Sequence, residues 1–489
     1  MNNKLERKNG ILMHISSLPS KYGIGTLGLE AYKFVDFLNE SKVKLWQVLP
    51  IGHTSYGDSP YQTYSIYAGN PYLIDLDLLI NDGLLNNDEL KEIKNSDYVD
   101  YGYLFNNKIN VLRKACYRFD FYSNDYLRFV NENQWINDYS RFMTIKELKG
   151  FRGLNDFGEY KIYNRINFLE FDNKYNEKIK FWKFIQFVFF KQWFKLKDYS
   201  NSKNVEIIGD IPIYVPYDSV EVWKEPQLFM IDDNMEMEVV SGMPPDDFAK
   251  EGQVWGSPVY NYTNMRKDNY KWWVDRFKYS MKIFDYIRID HFIGFVSFYG
   301  INGKTRNPLD GKWYNGGGFD LFNEVNKTID RNKVIAEDLG YVSDEVRKLL
   351  EVTNYYCMRI LEFGIKNNIN NIHFPDNYPE NCVCYTGTHD NQTLKSWIYS
   401  LNYDDKKFIE NYTNQTDVDS IIDKLINKLF ASRASIVIIP IQDYLKIADE
   451  GRMNTPGKSE GNWTWKLKSY DEYRKISFDI MKKNEVFNR

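Results

Sequence analysis

The chain reads as an α/β protein built on a closed (β/α)8 barrel. Three observations predict this. Eight short strings of β-type apolar residues are spread along the 489 residues. Amphipathic helical segments lie between most of them, and alternation of that kind implies a parallel sheet, which eight strands can close. Most strings also finish on a polar residue, at the end where barrels of this kind place their active sites.

The strings are Ile11–Ile15, Leu45–Pro50, Val205–Ile211, Tyr286–Ile289, Val334–Ala336, Met358–Phe363, Cys382–Tyr385 and Ile436–Ile441. Apolar residues three and four apart predict helices over Leu29–Leu38, Tyr270–Phe284, Val342–Leu350 and Ile421–Leu429. The run Phe181 to Phe194 is the most apolar, but Lys183, Gln186, Lys191 and Gln192 interrupt it, so it reads as a buried helix and not a membrane span. Tyr470 to Val486 reads as a closing helix. About 155 residues separate the second and third strings, far more than a crossover helix needs. Residues 51–204 are therefore expected to form a mostly helical insertion. The Pro-, Asp- and Gly-rich stretch 212–268 is expected to form an ordered loop over the barrel mouth. All of it, 1–489, reads as a single catalytic unit.

Composition excludes some functions. Lys and Arg total 63 against 67 Asp and Glu, a net charge of −4, so no bulk field draws nucleic acid or an anionic membrane. Four cysteines in such a length fit a reducing compartment. The first residues lack an apolar signal core. A cytoplasmic protein is expected. Aromatic residues reach 17%, but Asn, Lys and Ile are abundant with them, so a general compositional bias explains the excess better than ligand binding does.

The chemistry is concentrated in three acidic blocks that each end a β-type string: Arg288-Ile289-Asp290-His291, Ala336-Glu337-Asp338 and Thr388-His389-Asp390-Asn391. Carboxylates at the ends of buried strands are costly to desolvate and are usually kept for chemistry. Paired carboxylates cleave glycosidic bonds, one attacking the anomeric carbon and the other protonating the leaving oxygen. Arg288, two residues before Asp290, projects to the same side of a strand and would keep that Asp ionised. The apolar residues before Glu337 would raise its pKa and suit an acid. A buried Arg288–Asp290 ion pair of purely structural value is the duller alternative. Asp290, His291, Glu337, His389 and Asp390 could instead ligate a divalent metal, although their spacing offers no compact ligand motif.

Further blocks carry a resemblance. Gly10-Ile11-Leu12-Met13-His14, Trp46-Gln47-Val48-Leu49-Pro50, Gly57-Asp58-Ser59-Pro60-Tyr61-Gln62, Gly209-Asp210-Ile211-Pro212, Pro244-Pro245-Asp246, Gly252-Gln253-Val254-Trp255-Gly256 and Arg452-Met453-Asn454-Thr455-Pro456-Gly457 occur in order with the acidic blocks. Together they resemble the 4-α-glucanotransferases, or amylomaltases, of glycoside hydrolase family 77. The resemblance implies a barrel of the α-amylase superfamily and a retaining mechanism without metal or organic cofactor. It implies Asp290 as nucleophile, Glu337 as general acid/base and Asp390 as the carboxylate that holds the sugar's hydroxyls. Arg288, Asp210, His291 and His389 would support the donor sugar. Tyr61, Asp246, Gln253, Trp255 and Asn454 would contact substrate. The partners implied are an α-1,4-glucan donor and a glucose or maltooligosaccharide acceptor. An α-glucan hydrolase with the same residues, or a glucan-binding protein that keeps the cleft, are the competing readings. Gly316-Gly317-Gly318 departs from the family's Gly-Pro-Gly and would loosen that loop.

Overall fold

A computed structural model describes residues 6–489 apart from 56, 92, 246–249, 366, 367 and 459. Eight parallel strands close into a barrel. In chain order the strands of the molecule are β1 (Lys8–Leu12), β2 (Leu45–Gln47), β3 (Glu206–Ile211), β4 (Val239–Met243), β5 (Gln253–Pro258), β6 (Tyr286–Ile289), β7 (Ser297–Asn302), β8 (Lys312–Asn315), β9 (Val334–Ala336), β10 (Tyr356–Ile360), β11 (Cys382–Tyr385) and β12 (Ile436–Pro440). Around the barrel they run β1-β2-β3-β6-β9-β10-β11-β12 and back to β1. Each predicted string overlaps one barrel strand. Ends differ by a few residues: Ile15 enters a 3-10 turn, and Leu361–Gly364 forms a helical turn after β10.

Burial on both faces explains why these strings are almost continuously apolar. Ile207, Ile287, Ile335, Val383 and Val437 are each fully buried, and each such side chain contributes about 1.5–3 kcal/mol. Gly209 is required by packing, because a Cβ there would sit 2.1 Å from the Phe284 ring.

The connection from β2 to β3 carries helices Leu76–Asn81, Tyr101–Tyr117, Asn124–Glu132, Trp135–Leu148, Phe168–Lys174 and Asn176–Ser202. The last contains the apolar run around Phe181–Phe194, and most of that run is buried. Its intervening glutamines are satisfied by backbone: Gln186 both accepts from Gly69 N–H at 2.7 Å and donates to Gly69 C=O at 3.0 Å. Gln192 does the same for Asp75 at 2.7 and 3.0 Å.

The stretch 212–268, expected as a loop, contains β4 and β5. They join β7 and β8 in a four-stranded sheet of order β5-β4-β7-β8, antiparallel throughout. These partners come from either side of β6, so no local alternation announces them. The C-terminal segment is two helices, Asp471–Arg474 and Ser477–Phe487, where one was expected. All four cysteines are free and buried. Among the described residues, no helix is long and apolar enough to cross a membrane.

Candidate active site

The site is assembled by three neighbouring strands. Register places Asp210 on β3 beside Arg288 on β6, and Ile289 beside Ala336 on β9. The ladder continues past the strand ends: Asp290 N–H donates to Ile211 C=O at 3.0 Å, and Glu337 N–H to Ile289 C=O at 3.1 Å. The backbone of both acidic residues is thus held by the sheet itself, a more rigid support than a free loop.

One guanidinium serves three carboxylates. Arg288, whose side chain is 2% exposed, reaches Asp210 at 2.6 Å and Asp290 at 3.3 Å through Nη1, and Glu337 at 2.9 Å through Nη2. Glu337 also accepts the His291 backbone N–H at 2.6 Å. His291 adopts a left-handed conformation, φ 49°, uncommon for a residue with a side chain and typical of functional turns. The Asp290 and Glu337 carboxyls are thus brought together on the same guanidinium.

Charge balance then decides protonation. Burial, and next the Glu337 charge, push the Asp290 pKa well above the usual carboxylate range. Burial acts the same way on Glu337, but Arg288, the His291 N–H and the neighbouring Asp290 outweigh it and set its pKa below the usual value. This reverses the expectation from sequence, in which the arginine kept Asp290 ionised and apolar neighbours raised Glu337. The reason is geometric: the guanidinium lies closer to Glu337, and the N–H of the strained turn is aimed at it. Two carboxyls this close titrate as a coupled pair.

Asp390 lies on the loop after β11. Its carboxylate accepts from Asn454 Nδ2 at 2.6 Å and lies 3.3 Å from His389 Nε2. Burial opposes its ionisation, yet His389 and Asn454, with Arg288 beyond, lower its pKa to about 2. Tyr61 donates to Asp210 at 2.9 Å and stacks on His389 with centroids 5.0 Å apart. Trp255 meets His291 edge-on at 5.0 Å and donates to Gln253 Oε1 at 3.0 Å. Trp255 is 37% exposed, leaving an aromatic residue at the mouth.

These contacts form one continuous network through every candidate residue except Asp246, which lies outside the described residues. Sequence reasoning missed Trp463, packed 5.9 Å from Tyr61 and 5.8 Å from His389. It also missed Arg452, which donates to the Asp390 carbonyl at 3.3 Å. Arg452 heads the block that contains Asn454 and was within reach of a sequence reading; Trp463 carried no local signal. Among the described residues, no group of three or more His, Cys, Asp or Glu side chains is arranged to hold a metal ion. Chemically, a carboxyl pair beside a fixed cation can attack with one oxygen and transfer a proton with another.

Known proteins resemble the chain in sequence and fold. The model of the 4-alpha-glucanotransferase family matches residues 13–471. A 4-alpha-glucanotransferase of Clostridium butyricum is 40% identical over 98% of this chain and 100% of its own length. That of Aquifex aeolicus is 37% identical over 99% of each chain. Among solved structures, an amylomaltase from Streptococcus agalactiae in complex with acarbose superimposes with a TM-score of 0.96 at 38% identity, covering 99% of this chain and 100% of that one. An amylomaltase from Corynebacterium glutamicum, only 14% identical, shares the fold with a TM-score of 0.80 over 99% of this chain and 75% of that one. The chain therefore belongs to the 4-α-glucanotransferase family, and is a hexosyltransferase.

Proposed function

We propose that the chain transfers a segment of an α-1,4-glucan to the 4-hydroxyl of glucose or of another α-1,4-glucan, with retention of configuration. The observation that carries the mechanism is the meeting of the Asp290 and Glu337 carboxyls on one arginine, at 3.3 and 2.9 Å. Retaining enzymes keep their two carboxyls about 5–5.5 Å apart, whereas inverting enzymes leave room for a water between them. A pair meeting on one arginine falls on the retaining side.

In the first step a proton sits on Glu337, reached from Asp290 by a shift between the two carboxyls. An Asp290 oxygen attacks C1 of the glucosyl unit, the C1–O bond to the leaving sugar breaks, and Glu337 gives its proton to the departing oxygen. A β-linked glycosyl ester results. In the second step Glu337 takes the proton of an acceptor 4-hydroxyl, whose oxygen displaces Asp290 and restores the α-linkage. Asp390, ionised and braced by Asn454 and His389, holds sugar hydroxyls. Arg288 and Asp210 keep the pair in place, and Tyr61 and Trp255 supply aromatic surface. Neither step calls on a metal or organic cofactor. Residues 51–204 and 212–268 serve as extensions of one catalytic unit, and Trp255 with its strand shields the ester from water. Four free, buried cysteines support a cytoplasmic setting.

Chromatography of products from maltotriose alone tests the function. Glucose plus a ladder of longer maltooligosaccharides is expected. Glucose and maltose without longer products would show that water is the acceptor, and unchanged maltotriose would leave only a binding role.

A further inference from the structure

A second groove lies between the Trp135–Leu148 helix, the Val220–Lys224 turn and the start of the Lys271–Ile283 helix. Its volume is about 580 Å³, within the range of about 300–1,000 Å³ common for small-molecule sites. No residue of the carboxylate network lines it.

Its lining has the chemistry of a site. Tyr67 and Trp135 lie with ring planes 21° apart and centroids at 6.0 Å, and Trp272 lines the same space. Glu221, also in the lining, is 4% exposed. Its Oε1 accepts from Ser65 Oγ at 2.8 Å and Ile66 N–H at 3.1 Å, while Oε2 has no partner. The Trp135 indole N–H is buried and unpartnered as well. Leaving such groups unpaired is unfavourable, a cost that a ligand's hydroxyls would remove.

Charge narrows the ligand. The groove's cations are already paired: Lys224 with Asp138 at 2.9 Å, Arg141 with Asp172 at 2.6 Å, and Lys271 with Asp275. An anionic ligand would find none of these three charges free. Among the described residues no carboxylate cluster is arranged for a metal. Apolar ring faces beside a lone acceptor and a lone donor suit a neutral, hydroxyl-rich ring, whose C–H face packs on aromatics while its hydroxyls exchange hydrogen bonds.

We propose that this groove holds a stretch of α-glucan apart from the reacting residues, a reading that rests on the proposed transferase function. A chain held at two places gains effective concentration at the second, so long substrates benefit and short ones do not. Gln134, exposed and lining the groove, is a position where added bulk fills the space without opening the core. Wild type, Gln134→Trp and Tyr67→Leu are compared for retardation in amylose-containing native gels and for kcat/KM on maltotriose. The apparent amylose Kd is expected to rise about tenfold in both variants, with maltotriose turnover within twofold of wild type. An unchanged amylose Kd in Gln134→Trp, or an equal loss on both substrates, overturns the groove. Wild-type protein that makes no longer glucans from maltotriose would instead overturn the transferase reading.

Discussion

At the level of single residues, the site concentrates three carboxylates on one buried guanidinium, an arrangement that serves chemistry at the expense of stability. Asp290→Asn and Glu337→Gln are each expected to lower maltotriose transfer by at least about a thousandfold, because the proposed nucleophile and proton donor would act as a unit. Near-normal turnover in either would refute the roles. Asp290→Asn should nonetheless melt at or above the wild-type temperature at pH 7. The folded protein raises the Asp290 pKa above its unfolded value of about 3.9. Its favourable share of stability is therefore complete below that value and is lost as pH rises towards the folded pKa. Asparagine does not titrate, so the variant's advantage should shrink when melting is repeated near pH 4. An advantage that grew on acidification would contradict the assigned direction. Arg288 and Asp290, which flank Ile289, were legible as a same-side pair from their spacing alone. Which carboxyl the arginine favours was not, since that depends on Nη2 and the turn at His291.

At the level of elements, the loop bearing His389 and Asp390 is clamped at both ends by a single buried side chain. Asp443, just past β12, accepts from Thr386 Oγ1 at 2.5 Å and from Leu394 N–H at 2.8 Å. Asn391 braces the middle, its Oδ1 accepting from both the N–H and the hydroxyl of Thr388 at 2.9 Å. Asp443→Ala leaves two buried donors unpaired, costing about 2–5 kcal/mol, and lets Asp390 drift. Transfer should fall about tenfold or more. Combined with Asp390→Asn, the loss should be well short of the product of the two single losses, since Asp443 acts through the same carboxylate. Full multiplicative loss would mean that Asp443 matters only for general stability. All eight barrel strands were legible because buried parallel strands read as apolar runs bounded by polar residues. The antiparallel sheet was not. Trp313 and Val254 are exposed large hydrophobics, Gly242 and Gly300 interrupt the pattern, and the pairing of β4 with β7 spans the whole of β6.

At the level of the whole molecule, the insertion between β2 and β3 is tied to the catalytic barrel through Tyr61, and Tyr61 depends on how the segment around it is pinned. The Asn176–Ser202 helix does that pinning. Its Gln186 closes a two-way hydrogen bond with Gly69, and at Gly69 a Cβ would lie 2.0 Å from the Phe189 ring. The same amide donates to Tyr139 Oη at 3.1 Å, and that hydroxyl contacts His53 Nδ1 at 2.7 Å. The glutamine therefore joins the helix to the 53–69 segment directly at Gly69 and, through Tyr139, to His53, and Tyr61 lies within that segment, with its hydroxyl on Asp210. A sequence reading saw only a polar interruption in an apolar run, because the partners are the Gly69 backbone and the Tyr139 hydroxyl, both remote in sequence. Gln186→Leu keeps the bulk and removes every one of these bonds, stranding the Gly69 N–H and C=O. Stability should fall by about 2–5 kcal/mol, measured as a lower urea midpoint by tryptophan fluorescence. Below the transition, the KM for maltotriose should rise several-fold while kcat changes less, because in the proposed mechanism Tyr61 supplies aromatic surface to the sugar and a hydrogen bond to Asp210, with no bond made or broken at its hydroxyl. A destabilised variant with unaltered KM would show that the helix supports the fold without setting the cleft.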